Sequence, residues 1–166
     1  FNQQMSFPAE LTLHRTPEGF RLRRRPVRES ALLHDTAVVH TDVPLQDGEA
    51  VLAESADTLW HITAVLEPRG ARELGLRVAG EAISYDVESQ QLTCLGRAAP
   101  CGLIDGRLAL EVLVDRTSIE VFANDGRVSL SSCCLPTEQA SRLAAYASGG
   151  AARLVSLKAY RLRSIW

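Results

Sequence analysis

The sequence predicts an all-β protein built as an antiparallel sandwich of two sheets, with roughly a dozen strands. Apolar residues alternate with period two, as at Leu108, Leu110, Val112 and Val114, which is typical of strands with one buried face. Turn residues separate these runs at regular intervals, and hardly any stretch has a helical period. Because no linker, repeat or low-complexity tract interrupts the chain, we expect a single domain over 1–166.

Composition excludes several classes of protein. Hydrophobic residues make up 46% of the 166 positions, which argues against a disordered chain, and a domain of this size buries about 70% of its unfolded surface. The net charge of −2 gives no support to nucleic acid or an anionic membrane as a partner. No apolar run approaches the ~20 residues that a membrane-spanning helix needs.

Local patterns place the strands in order along the chain. Trp60, Ile62, Ala64 and Leu66 share one side of a clear alternation, so we expect all four in the core. One or two helical turns are expected within 27–33. Outside the central segment, the predicted strands lie at 10–15, 20–22, 36–43, 49–54, 58–66, 74–78, 82–87, 92–95, 142–147 and 153–162. The turns between them centre on Pro17-Glu18-Gly19, Gln46-Asp47-Gly48, Pro68-Arg69-Gly70, Gly80 and Gly149-Gly150, and a loop runs through Pro100, Gly102 and Asp105-Gly106.

A basic cluster surrounds the second predicted strand. It consists of Arg21, Arg23, Arg24, Arg25 and Arg28. Such a cluster binds an anion or nucleic acid in some proteins. Because the overall charge does not favour that function, we interpret it as a solvated strand face, or as salt bridges to an adjoining domain.

The most strongly patterned segment runs from 108 to 133. A strand ends at Asp115-Arg116, where the apolar alternation breaks, and a β-branched run follows at 117–123. Asn124-Asp125-Gly126 tolerates positive φ, so we expect a tight hairpin with Gly126 in that conformation. The return strand at 127–133 completes three adjacent antiparallel strands.

The segment 114–126, Val-Asp-Arg-Thr-Ser-Ile-Glu-Val-Phe-Ala-Asn-Asp-Gly, resembles the C-terminal β-sandwich domain of glycoside hydrolase family 32. That family contains invertases, levanases and other fructan hydrolases. Further matching segments fall in the expected order, and the resemblance covers nearly the whole chain. They are Phe1-Asn2-Gln3-Gln4-Met5-Ser6-Phe7-Pro8, Glu10-Leu11-Thr12-Leu13, Pro26-Val27 with Glu29, Ile83-Ser84-Tyr85-Asp86, and Ser164-Ile165-Trp166. Two departures concern local contacts: Ala9 stands where the family usually carries Arg, and 93–101 lacks a second Asp-Arg pair.

The resemblance implies a non-catalytic module of concanavalin-like or jelly-roll type that supports a five-bladed catalytic propeller in the same protein. Residues 1–9 would form the junction with that propeller, leaving Met5 and Phe7 in an uncovered apolar patch here. A homodimer and a weak fructan contact stay open as further partners, and no cofactor is implied. A secreted levanase as the parent enzyme would place the protein outside the cell or in the periplasm.

Candidate catalytic residues are few. A glycosidase needs two carboxyl groups facing one sugar, and Glu111, Asp115 and Glu120 are the candidates that spacing offers. We expect surface or turn roles for all three, on a convex sheet face without a pocket, with Asp115 accepting backbone N–H groups in its turn. The family's motifs Asn-Asp-Pro, Arg-Asp-Pro and Glu-Cys, which carry the chemistry in the propeller, do not occur between Phe1 and Trp166. We therefore assign no catalytic residue.

The alternative function is a lectin-like carbohydrate-binding module. Exposed aromatic side chains stack on sugar rings, and Trp166 and Tyr85 are the weak candidates for that role. Four cysteines, Cys94, Cys101, Cys133 and Cys134, and four scattered histidines form no recognisable metal site. Cys94 and Cys101 either close a short loop as a disulfide or remain thiols.

Overall fold

The structure, a computed structural model, describes residues 5–17, 19–55, 59–134 and 142–164. Within these ranges the strands form two six-stranded sheets and one two-stranded hairpin, all paired antiparallel. The strands are β1 (Ala9–Thr16), β2 (Gly19–Pro26), β3 (His34–Leu45), β4 (Gly48–Glu54), β5 (Trp60–Pro68), β6 (Glu73–Val78), β7 (Glu81–Asp86), β8 (Gln91–Cys94), β9 (Arg97–Pro100), β10 (Leu108–Asp115), β11 (Ser118–Ala123), β12 (Val128–Cys133), β13 (Arg142–Ser148) and β14 (Ala152–Leu162).

The first sheet has the order β12-β11-β10-β5-β14-β3, and the second has the order β4-β13-β6-β7-β8-β9. β1 and β2 pair only with each other. A six-residue 3-10 helix, Arg28–Leu33, links this hairpin to β3 and agrees with the expected helical turns. No helix among the described residues is long and apolar enough to cross a bilayer. The predicted antiparallel two-sheet sandwich is therefore confirmed.

One core fills the space between the two sheets. The inward residues of β5, Trp60, Ile62, Ala64 and Leu66, are all at most 2% exposed, as their alternation predicted. They meet inward residues of the second sheet such as Leu76, which is fully buried. Since each buried leucine or isoleucine side chain stabilises the fold by about 1.5–3 kcal/mol, this layer is the main source of stability.

The other face of the first sheet is also partly covered, which the period-two pattern did not predict. Leu113, Phe122 and Leu162 form a second buried cluster, against which Phe7, Leu33 and Leu59 pack. Every residue of β11 is buried as a result. The chain before β1 and the 3-10 helix thus form a partial third layer over β10, β11 and β14.

The hairpin β1–β2 lies against the turn between β11 and β12. The backbone N–H of Arg24 donates to the carbonyl oxygen of Gly126 at 3.0 Å, and Asp125 pairs with the guanidinium groups of Arg23 and Arg25. The basic cluster is therefore bound largely within this domain. The interpretation as a solvated face is wrong for Arg23 and Arg24, whose side chains are 16% and 24% exposed.

Two further local differences from expectation have simple causes. Residues 97–100, expected in a loop, form β9, which includes Pro100 and tolerates it because β9 is an edge strand of the second sheet. Cys94 and Cys101 are buried free thiols, so the disulfide alternative is wrong. Burial raises the pKa of the Cys94 thiol to about 12, which keeps it protonated.

The turn at the tip of β11 and β12 makes specific demands on its sequence. Asn124, Asp125 and Gly126 all have positive φ, at 51°, 61° and 73°, which confirms the expected conformation of Gly126. Asn124 is buried: its side chain accepts the N–H of Ala109 at 3.0 Å and donates to the carbonyl of Gly102 at 2.7 Å. A Cβ on Gly126 would collide with the Arg24 carbonyl group and lie 2.8 Å from Cγ of Arg25.

Replacing Gly126 by alanine should therefore destabilise the protein for two reasons, the positive φ and the collision with β2. Gly106 provides the matched control, because its φ of 74° is nearly the same but open space surrounds its Cβ position. We expect Gly106→Ala to lower the free energy of unfolding by about 1–2 kcal/mol. Gly126→Ala should lower it further, as measured by urea unfolding. Equal losses in the two variants would contradict the close approach of β2.

Candidate functional site

A buried carboxylate on β11 joins three segments of the chain. Glu120 is 1% exposed, and Oε1 accepts the backbone N–H of Phe7 at 2.6 Å. Oε2 accepts hydrogen bonds from Nη2 of Arg24 at 2.8 Å and from the hydroxyl of Ser131 at 3.2 Å. The Arg24 guanidinium also lies over the Phe122 ring, 5.1 Å from its centroid. The hairpin and the segment before it are held on the sheet by this group.

The hairpin turns an apolar surface outward. Leu11 and Leu13 on β1 lie on the same face as Phe20 and Leu22 on β2, and Leu13 pairs directly with Leu22. These four side chains are 59–67% exposed, and Met5 is 88% exposed. Met5 is uncovered as predicted, but the prediction is wrong for Phe7, which packs on the second cluster.

Beside the hairpin, a groove of about 470 Å³ crosses the outer face of the first sheet. The face expected to lack a pocket therefore has one. Charged groups at the groove include Arg25 and Asp125 at one end and Glu111 and Lys158 on the sheet. Thr63 lines the groove, as do Ala109, Val65, Ser156 and Thr41 in the next cross-strand row.

A chain of hydrogen bonds runs from this groove across the sheet. Nε2 of His61 lies 2.9 Å from Oε1 of Glu111, and Nδ1 of His61 lies 2.9 Å from Nε2 of His34. Tyr160 stacks on His34 with ring centroids 3.7 Å apart. Burial and the nearby His61 and Lys158 lower the pKa of His34. The four residues come from four neighbouring strands, β10, β5, β3 and β14.

The three candidate carboxylates do not form an acid–base pair. Glu111 is bound to His61, while Asp115 accepts the N–H of Arg116 at 2.8 Å in its turn, as predicted. Glu120 was expected at the surface, and that prediction is wrong because the Arg24 side chain and the Phe7 backbone cover it. Glu111 and Glu120 are diagonal neighbours on the outer face, but the carboxylate of Glu120 is buried and cannot reach a substrate.

The two aromatic candidates for sugar binding differ in outcome. Tyr85 is 0% exposed in the core, so its assignment as a sugar-stacking residue is wrong. Burial raises its pKa to about 12. Tyr85 lies on the same side of β7 as Ile83, and both are buried. Trp166 lies outside the described residues.

No group of three or more metal-binding side chains occurs in the described parts of the chain. The sequence alone does not reveal the His34–His61–Glu111 chain, because the histidines are 27 residues apart and His61 is 50 residues from Glu111. Only the pairing of β5 with β10, and the position of β14 between β5 and β3, bring these side chains together. The alternation in β5 did place His61 on the outer face, opposite Trp60 and Ile62, and this was the available signal.

Comparison with known proteins places the chain in a family. The sequence model of the family described as glycosyl hydrolases family 32 C terminal matches residues 26–161. A levanase from Bacillus sp. (strain L7) is 30% identical over 98% of this chain, and a raffinose invertase from Escherichia coli is 32% identical over 81% of it. The chain spans only 20% and 30% of the lengths of these two relatives.

Solved structures share the fold at low sequence identity. An exo-inulinase from Aspergillus awamori superimposes with a TM-score of 0.82 at 16% identity, over 97% of this chain and 36% of its own. Fructan 1-exohydrolase IIa from Cichorium intybus gives 0.68 at 15% identity, over 96% and 41% respectively. With the match over 26–161 and the identity to the levanase, the chain belongs to the glycosyl hydrolases family 32 C-terminal domain family.

Proposed function

We propose that this chain is the non-catalytic C-terminal sandwich of a fructan- or sucrose-hydrolysing enzyme, and that it supports a catalytic propeller earlier in the same polypeptide. The observation that carries the proposal is the outward apolar face of the hairpin, formed by Leu11, Leu13, Phe20 and Leu22. An isolated two-stranded hairpin is marginally stable in water, and exposed leucines on it need a partner surface.

The match to the family model supports this assignment of the hairpin. The model begins at residue 26, the last residue of β2, whereas the similarity to the levanase extends over 98% of the chain. The hairpin therefore lies outside the part of the chain that the family model matches and inside the part that is similar to the levanase. We infer that it forms the contact with the propeller, so the junction includes β1 and β2 as well as residues 1–9. Contacts between domains of one chain bury about 600–1,500 Å².

The proposal is tested by the double substitution Leu13→Ser and Leu22→Ser. In the 166-residue chain both side chains are already exposed, so the melting temperature should hardly change. In the longer polypeptide, extended upstream of Phe1, each leucine would lose about 1.5–3 kcal/mol of burial energy. We expect that protein to melt at a lower temperature in differential scanning calorimetry.

Val51→Ser is the control, because Val51 is 45% exposed on β4 of the second sheet, away from the hairpin. It should leave both proteins unchanged. Equal effects of the double substitution in the short and the long protein would contradict a domain contact. If instead the 166-residue chain is dimeric and the double substitution makes it monomeric, a second copy covers this face.

The chain alone should not hydrolyse sucrose, levan or inulin. Glycosidic cleavage needs an acid with a raised pKa and a second carboxylate facing the same sugar. Here Glu111 and Glu120 are bound to His61 and Arg24. Reducing-sugar release by the purified chain should equal that of a buffer control. Release of fructose that is abolished by Glu111→Gln would contradict the non-catalytic assignment.

A carbohydrate-binding module is the second candidate, and the groove beside Glu111 and Lys158 is the observation that favours it. No aromatic platform among the described residues supports tight binding there, so we expect weak or no affinity for fructans. Titration calorimetry with levan and inulin oligosaccharides measures this. A dissociation constant near ~1 μM, equivalent to about −8 kcal/mol, would favour the binding module. Lys158→Ala should then abolish the binding.

A further inference from the structure

The hydrogen bonds between His34, His61 and Glu111 have a fixed direction when both rings are neutral. An ionised carboxylate only accepts, so Nε2 of His61 must carry the proton that faces Glu111. Nδ1 of the neutral His61 ring is then an acceptor, and the proton between the two rings belongs to Nε2 of His34. The geometry therefore assigns a tautomer to His61 and a donor to His34.

This arrangement holds one additional proton but not two. With one, either His34 is charged and still donates to His61, or His61 is charged and donates to Glu111 and to His34. With two, both facing nitrogens carry hydrogen, and the 2.9 Å contact has no acceptor. Two cationic rings would also repel each other at that distance.

The surroundings of His34 disfavour a positive charge on its ring. His61 is 7% exposed, and Lys158 of β14 holds its ammonium group 4.8 Å from the centroid of the Tyr160 ring that stacks on His34. Three other charged residues on the adjoining segments are exposed or bound elsewhere. Asp35 and Asp115 are exposed, and Arg163 donates to the carbonyl of Leu32. Glu111 is the one carboxylate hydrogen-bonded to the pair among the described residues.

The position of these residues gives their contact a mechanical role. β3 is an edge strand of the first sheet, and His34 is its first residue. His34 pairs in register with Leu162 of the second cluster, and Leu33 before it packs on that cluster together with Phe7. The hydrogen bonds of His34 with His61, and of His61 with Glu111, connect β3 to β5 and β10. They therefore stabilise the first residues of the edge strand and the cluster on which Phe7 packs.

We propose that His34, His61 and Glu111 form an acid-labile clasp, closed at neutral pH and released when both imidazoles are protonated. Release frees the start of β3 and loosens the cluster that holds the N-terminal segment. This regulation by pH depends only on residues within the chain and is independent of the proposed contact with a propeller.

The sign of the pH dependence follows from proton binding. An unfolded chain binds two protons on these histidines below their ordinary pKa of about 6.5, whereas the closed clasp holds at most one. The lowered pKa of His34 acts in the same direction. The stability contribution is thus fully present above pH ~6.5 and is lost as the pH falls towards the folded pKa of His34. Each extra proton bound by the unfolded chain raises the unfolding constant about tenfold per pH unit.

His34→Gln tests the clasp, because the glutamine amide nitrogen replaces Nε2 as a donor and its oxygen accepts once His61 is charged. Urea unfolding is measured between pH 7.5 and pH 5.5. The unfolding constant of the wild type should rise about tenfold more over this range than that of His34→Gln. His14→Gln is the control, since His14 contacts the Thr12 hydroxyl on the hairpin, and it should keep the wild-type dependence.

Parallel pH profiles of the wild type and His34→Gln would overturn the proposal. If His34→Gln fails to fold, nitrogen-15 NMR of the imidazole rings in the wild type decides it. At pH 7.5 the contact with Glu111 should hold a proton on Nε2 of His61, and a proton on Nδ1 of His61 would equally overturn the clasp.

Discussion

The buried carboxylate of Glu120 determines how the partial third layer sits on the sandwich. A charge removed from water carries a penalty of several kcal/mol unless hydrogen bonds and an opposite charge offset it. Its partners come from β2, from β12 and from the backbone before β1. The penalty is offset only when all three partners are in place. The ion pair therefore mainly fixes where the hairpin and the segment before it sit on the sheet, and it adds little net stability. Removing Arg24 alone would leave an uncompensated charge in the interior.

The sequence predicted those parts of the fold in which neighbours along the chain decide the outcome. Alternation located the inward face of β5 and β10, and turn chemistry located the positive φ of Gly126. These signals are local: the side-chain period is two, and only certain residues tolerate a left-handed backbone. The edge strand β9 was missed because four residues containing a proline lack a recognisable alternation.

The sequence could not predict contacts that depend on distant segments. An alternation of period two predicts that the outward residues meet water, so Glu120 was expected at the surface. The pattern cannot show that the backbone of Phe7, 113 residues away along the chain, covers it. Asp125, the partner of Arg23 and Arg25, likewise lies about 100 residues away along the chain, in the turn after β11. The same limit applies to His34 and His61, whose contact depends on the order of β3, β14 and β5 in the sheet.

The outer face of the first sheet combines features of an interior and of a surface. A solvated sheet face carries scattered charged residues, whereas this face carries a buried ion pair, a buried histidine and a second apolar cluster. From the hairpin, the Arg24 side chain covers Glu120 and Phe122, whereas the hairpin leucines are about 60% exposed. The hydrophobic effect therefore favours a further covering element over the hairpin, and the fixed Arg24–Glu120 contact determines where that element must meet the sandwich.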